Sequence, residues 1–399
     1  MEIMSAGIVN EDDLGQQRAV RMNLTALLVD LCRQELKRAV SPDDNLLEDG
    51  LTINRALRII DRFWRETSIE LDVNSFYLWP SPQALARAIE NGSYLSLPKI
   101  IEIRKGCADK TLIVFAGGLS CFLEIQDFIQ RLHFPGRILG MSLTPFDNSS
   151  RDPAVVEDEI RTCLTALKDA GIPGPYCLMG YSFGGVLALE LARAIKNTGE
   201  EVAFLGLIDT PQSEYNWPLS IWLRFMLKRL TRRLKTAKPR LDPTAIPPPR
   251  QTGNEGGLSI RNQWREMTAR AAGIATYFRP FLFRFHDPRD PDYPTMAPQW
   301  IGNYPPGYDR MARQLLRMKG LYRPKLYTGP LTFYRALGGS PIDCDPKSIW
   351  EAFLPGAEWI DMRGNHQSIV IGRNAETLAR DLDQRLNECL RCPSDPLTK

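Results

Sequence analysis

The sequence predicts an α/β protein, with a largely parallel sheet covered by helices on both faces and a small all-helical segment in front of it. Three observations carry this. Between residues 99 and 210, short apolar runs alternate with helical patterns, which is what parallel strands joined by helical crossovers require. The same rhythm returns after residue 326. Residues 17–91, by contrast, read as helices joined by short loops.

Composition agrees with a folded chain. Of 399 residues, 43% are hydrophobic and 24% charged, a globular mix with enough apolar surface for a large core. The formal net charge of +3 is too small to argue for nucleic acid, and no basic run is interleaved with aromatics. The start, MEIMSAGIVNEDD, has no apolar core of a signal peptide. The longest apolar stretch, TLIVFAGGLSCFL, is too short for a bilayer. Eight cysteines scattered over this length form no disulfide framework, so the expected compartment is the cytoplasm.

Taken in order, helices are expected over about 17–39 and 52–68, and again from Gln83 to the stop at Gly92. SYLSLP, 93–98, is a spacer. Strand candidates follow: KIIEI, TLIVFA, RILGMSL, YCLMGYS and EVAFLGLID, with helices at 121–133, 152–170 and 183–198. Residues 211–326 break the rhythm. They are rich in Trp, Arg and Pro and read as an insertion on one face of the sheet. PLTFYRA, a short helix near 347–353, AEWIDM and a closing helix 375–391 complete the second domain, 99–392.

The chemistry gathers at YCLMGYSFGGVLALELARA. Ser182 lies in Gly180-Tyr181-Ser182-Phe183-Gly184, between a strand and a helix. A serine exposed on such a strained turn needs small neighbours, because the helix then runs back close to the strand. The motif alone is weak; in this setting it marks a nucleophile elbow. Serine also needs a histidine to take its proton, and the chain has three. His133 ends a helix and His286 lies in the insertion. His366, in RGNHQSIV just past the last strand, stands where this fold order puts the base. Two carboxylates compete to orient it: Asp209, at the end of EVAFLGLID, and Asp343, in GGSPIDCDP after the next strand. The oxyanion amides should be that of Phe183 and one from the turn after TLIVF, at Ala116 or Gly117. No His/Cys/carboxylate cluster has metal-ligand spacing.

GPYCLMGYSFGGVLALELARAIKNTGEEVAFLGLIDT, with YRPKLYTGPLTFYRA through GNHQSIV, resembles type I thioesterase domains of non-ribosomal peptide and polyketide synthases. Those are α/β-hydrolases in which the acid follows the strand after the nucleophile helix, so the resemblance selects Asp209. It implies release of an acyl chain from the phosphopantetheine thiol of a partner carrier protein or synthase module, with no cofactor on this chain. The alternatives are transfer or cyclisation onto a hydroxyl or amine, and a non-catalytic acyl-binding protein. It also makes the insertion a lid. The basic stretch 220–240, with eight Lys/Arg and no acid, could then lie on an anionic membrane or grip an acidic carrier, or keep its basic side in water.

Residues 17–92 resemble a carrier domain of the same synthases, through NLLEDGLTINRALRII and WPSPQALARAIENG. The serine that bears the arm should begin the second helix, and Ile53 stands there, after Thr52. An alkyl side chain cannot form the phosphodiester, so the carrier is degenerate. Its second helix puts Ile53, Leu57, Ile60 and Trp64 on one face. Arg55, Arg58, Arg62 and Arg65 line the opposite one, either as a solvated face or as a docking stripe for an acidic partner.

Overall fold

The computed structural model describes residues 23–118, 120–144, 155–213, 216–224, 227, 305–338 and 345–390. The chain divides into two compact units, Ser213–Met296 and the remainder. The larger unit contains both the helical segment and the sheet. Most of the basic stretch 220–240 lies outside the described residues, as do His286 and Asp343.

The helical segment begins with α1, Leu24–Leu36, whose first turn is capped by the Asn23 side chain accepting from the Ala26 amide at 3.0 Å. α2 spans Ile53–Thr67 and α3 Ser75–Leu78, a single turn. α4, Pro82–Glu90, starts with the Ser81 hydroxyl as cap and proline at its first position, where the missing N–H costs nothing. The buried face of α2 is Ala56, Leu57, Ile59, Ile60, Phe63 and Thr67. Ile53 and Trp64, expected on that face, are only half-buried. The fully buried Phe63 belongs to the small core that also holds Leu28 and Phe76.

The arginine stripe has partners within this segment. Arg58 Nε donates to Glu35 at 2.6 Å and Arg62 to Gln34 at 2.6 Å, both on α1. Arg65 pairs with Asp61 at 3.0 Å, and Arg55 donates to the Gly50 carbonyl at 3.0 Å. The stripe therefore ties α2 to α1 and to its own loop, and part of its charge is compensated.

Among the described residues, seven strands form one sheet. They are β1 Ile100–Arg104, β2 Cys107–Phe115, β3 Gly136–Met141, β4 Tyr176–Tyr181, β5 Val202–Ile208, β6 Leu331–Ala336 and β7 Ala357–Met362. Their order is β1-β3-β2-β4-β5-β6-β7, with β1 antiparallel to β3 and every other pair parallel. Each expected strand is present. Central β4 is buried along its whole length, as a strand covered on both faces must be. Helices α5, Gln126–Arg131, and α10, Gly372–Cys389, share one core with the sheet. In it Phe128 and Ile129 meet Leu378, Leu382 and Leu386 over Val114 and Met179. Helices α6, Val156–Asp169, and α7, Phe183–Asn197, follow β3 and β4.

This order places the chemistry. From β2 the chain steps outward to β3, then returns past β2 to β4 and continues the other way. The carboxyl ends of β2 and β4 thus flank a topological switch point, where crossovers diverge and a crevice opens. Ala116 follows β2, and Ser182 follows β4.

Two boundaries differ from expectation. The insertion was expected over 211–326, yet α8, Pro306–Leu321, belongs to the larger unit, and its Tyr308 and Ala312 join the core of the helical segment. The spacer 93–98 is no free tether. It contains a single 3-10 turn, Ser93–Leu95, and its Pro98 carbonyl accepts from Ser142 Oγ at 2.8 Å. The core of the helical segment runs on into Cys121 and Leu123, beyond β2 of the sheet. Among the described residues, no helix is long and apolar enough to cross a membrane. The last short helix, α9, is Pro346–Trp350.

Candidate active site

Ser182 has φ 54° and ψ −129°, a backbone region that L-residues avoid. The surrounding structure holds it there. Its amide donates to the Ile208 carbonyl at 2.9 Å, and its carbonyl accepts from Gly185 at 3.0 Å. The flanking glycines make the close approach feasible. A Cβ on Gly180 would strike the Gly184 carbonyl, and one on Gly184 would strike the carbonyls of Ala116 and Phe115. α7 therefore starts hard against the ends of β2 and β4, with the serine at its N-terminus and first-turn amides that no helical carbonyl satisfies.

Two further chain ends converge on Ser182. Its Oγ lies 2.9 Å from His366 Nε2, and His366 Nδ1 lies 2.7 Å from Asp209 Oδ2. Asp209 is only 1% exposed and accepts on its other oxygen from the Ala336 amide at 3.0 Å. An ionised carboxylate has no proton to give, so His366 Nδ1 carries the hydrogen and Nε2 is left to accept from the serine. Asp209 itself has φ 43°, and its amide donates to the Tyr334 carbonyl at 2.8 Å across the β5–β6 pair. His133 is elsewhere, with a side chain 93% exposed beside Asp383.

Two supporting residues escaped the reading of the sequence. Tyr181, the variable residue before the nucleophile, donates its hydroxyl to the His366 carbonyl at 2.8 Å. Its ring stacks on the imidazole at a 5.2 Å centroid distance. Burial pushes its phenol far up, so it remains a donor. The other is Glu124, in the apolar run CFLEIQDF. Its carboxyl turns inward against Gly117, so that a Cβ there would meet Oε2. Burial pushes this carboxyl up to about 8, and the neighbouring Gly117 backbone offsets only part of the effect. An acid set between Leu123 and Ile125 was the only signal in the sequence. Gly118, the next residue of the turn, faces open space on its Cβ side.

Residues 116–237 match a family model described as a thioesterase domain. The matched stretch spans Ala116, Gly117, Ser182, Phe183 and Asp209, and ends before His366. Among curated proteins, the chain is 25% identical over 204 residues to microperfuranone synthase of Emericella nidulans, covering 49% of this chain and 21% of that protein. It is 27% identical over 210 residues to vanchrobactin synthetase VabF of Vibrio anguillarum, covering 50% of this chain and 7% of that one. With atromentin synthetase of Tapinella panuoides it shares 41% identity over 110 residues, 26% of this chain and 11% of that protein. The chain thus spans about a fifth or less of the length of these relatives. Among solved structures it is similar to the NocB thioesterase domain in covalent complex with a fluorophosphonate nocardicin G analogue. That match has 19% identity and a TM-score of 0.42, over 69% of this chain and 94% of the other.

Proposed function

We propose that this thioesterase domain releases an acyl, polyketide or peptidyl chain from the phosphopantetheine thioester of a carrier protein or synthase module, through a covalent intermediate on Ser182. The observation that carries the reading is the unbroken line of hydrogen bonds from Ser182 through His366 to Asp209, at the switch point of the sheet. Ser182 Oγ attacks the thioester carbonyl as its proton passes to His366 Nε2. Asp209 holds the ring in the tautomer that can accept and stabilises the imidazolium. The developing oxyanion faces the Phe183 amide at the start of α7 and an amide of the turn after β2, at Ala116 or Gly117. Collapse expels the pantetheine thiol, which takes the proton back from His366. Water then repeats the sequence on the acyl-enzyme and frees the acid.

The test is Ser182→Ala with an acyl-pantetheine thioester, following thiol release. Turnover should fall on the order of 10³-fold or more. Intact mass should show an acyl adduct on the wild type and none on the variant. Comparable turnover by Ser182→Ala removes the covalent mechanism.

A further inference from the structure

We propose that Asn74 of the helical segment is a positioning residue for catalysis, clamping the turn after β2 so that its backbone amides face the oxyanion. The proposal rests on the Ser182 reading above and adds to it a role for the segment itself.

Asn74 precedes α3 as its N-cap, where an asparagine side chain ordinarily accepts from its own helix's amides. Here it makes no such bond. Its side chain reaches across to the hydrolase domain instead. Nδ2 donates to the Ser120 carbonyl at 2.7 Å, and Oδ1 accepts from the Phe122 amide at 3.1 Å. The amide thus meets the backbone at two points, as a strand partner would, and neither point can rotate without breaking the other. Asn74 is only 2% exposed, so no water competes for these groups. Its own amide donates to Asp72 at 2.7 Å, which fixes the residue from behind.

The clamped turn is one that needs holding. Ser120 has φ 49°, a left-handed conformation on a residue that has a Cβ, and its amide closes the turn on the Gly117 carbonyl at 2.9 Å. Glu124 lies against the other end, at Gly117. Ala116, immediately before it, abuts Gly184, two residues from the nucleophile. Any shift of the turn therefore displaces an oxyanion donor relative to Ser182. Such a donor is worth about 10² to 10³ in rate, and a displacement near 1 Å can cost about 10².

The experiment uses the full chain with Asn74→Asp, Asn74→Ser and Asn74→Ala, alongside Ser182→Ala. Asp keeps the acceptor for Phe122 but sets a carboxylate oxygen against the Ser120 carbonyl. Ser can serve one partner at a time, and Ala serves neither. Competent sites are counted by intact mass after saturating labelling with a fluorophosphonate, so that turnover is expressed per labelled site and unfolded protein drops out. The expected result is a fall in kcat per site of about 10- to 100-fold with KM little changed, and a parallel fall in the rate of phosphonylation. Ser should lose less than Asp or Ala. A role confined to stability would lower Tm and the number of labelled sites and leave kcat per site at the wild-type value, which overturns the proposal. Loss of folding in every variant overturns it too, because Asn74 would then be a determinant of the fold. If Ser182→Ala still turns over or still takes label, the reading of the site itself fails. If Ser182→Ala is inert and the Asn74 variants match wild type, only the clamp is wrong.

Discussion

Replacing Asp209 with asparagine tests the proton relay at the point where the structure constrains it most. The Ala336 amide points at Asp209 Oδ1 and must meet an acceptor, so the asparagine carbonyl takes that side. Its NH2 then occupies the place of Oδ2, 2.7 Å from His366 Nδ1. Two donors cannot face each other there, and the imidazole responds by moving its hydrogen to Nε2. The nitrogen next to Ser182 Oγ loses its lone pair, and the serine keeps its proton. The reverse asparagine orientation would set NH2 against the Ala336 amide and is no better. A wrong tautomer in a relay of this kind costs on the order of 10⁴ in kcat, or about 5.5 kcal/mol of barrier. Because Asn is isosteric, the fold should survive, and near-UV circular dichroism should match wild type. The assay is thiol release from an acyl-pantetheine thioester, with Asp343→Asn measured in parallel and expected to stay within a few-fold of wild type. A loss under tenfold for Asp209→Asn, with a collapse for Asp343→Asn, would refute the assignment.

Other outcomes follow from the same geometry. Glu124 has a folded-state value of about 8 against an ordinary 4.5, so the folded chain holds the extra proton between these two values. Its contribution to stability is greatest below about 4.5, falls as pH rises toward 8 and is level beyond; Glu124→Gln removes that fall, with its stability advantage over wild type growing from pH 5 to 9 and bounded by about 5 kcal/mol. Gly184→Ala places a methyl against the carbonyls of Ala116 and Phe115. It should cost about 1–3 kcal/mol or more in denaturant unfolding despite the better helix propensity of alanine. Arg58→Glu with Arg62→Glu sets like charges beside Glu35. It should lower stability by about 1 kcal/mol or less per pair and act equally on free and carrier-bound thioesters; a loss confined to carrier-bound substrate would restore the docking role.

Much of this protein is legible in one dimension. The sheet is written as apolar runs, since a strand covered on both faces can carry little else: all six residues of β4 are buried. The elbow is equally plain, because a serine at φ 54° between a strand and a helix can be accommodated only beside glycine. That an alkyl side chain, Ile53, opens α2 is a local fact too. What spacing could not supply is which distant groups meet. Asp209 and His366 lie 157 positions apart and come within 2.7 Å only because β5 and β7 flank β6 in one sheet. The hydrogen bond from Ala336 that sets the carboxylate's orientation comes from that middle strand. Asn74, 46 positions from Ser120, stands at the N-cap of α3 yet makes no cap hydrogen bond. Its side chain turns instead to a backbone carbonyl and amide of the turn after β2, which stand within reach and need partners. Periodicity reports which face of an element is buried. Which polar group meets which across the core is decided by how the elements pack, and that is a property of the tertiary structure alone.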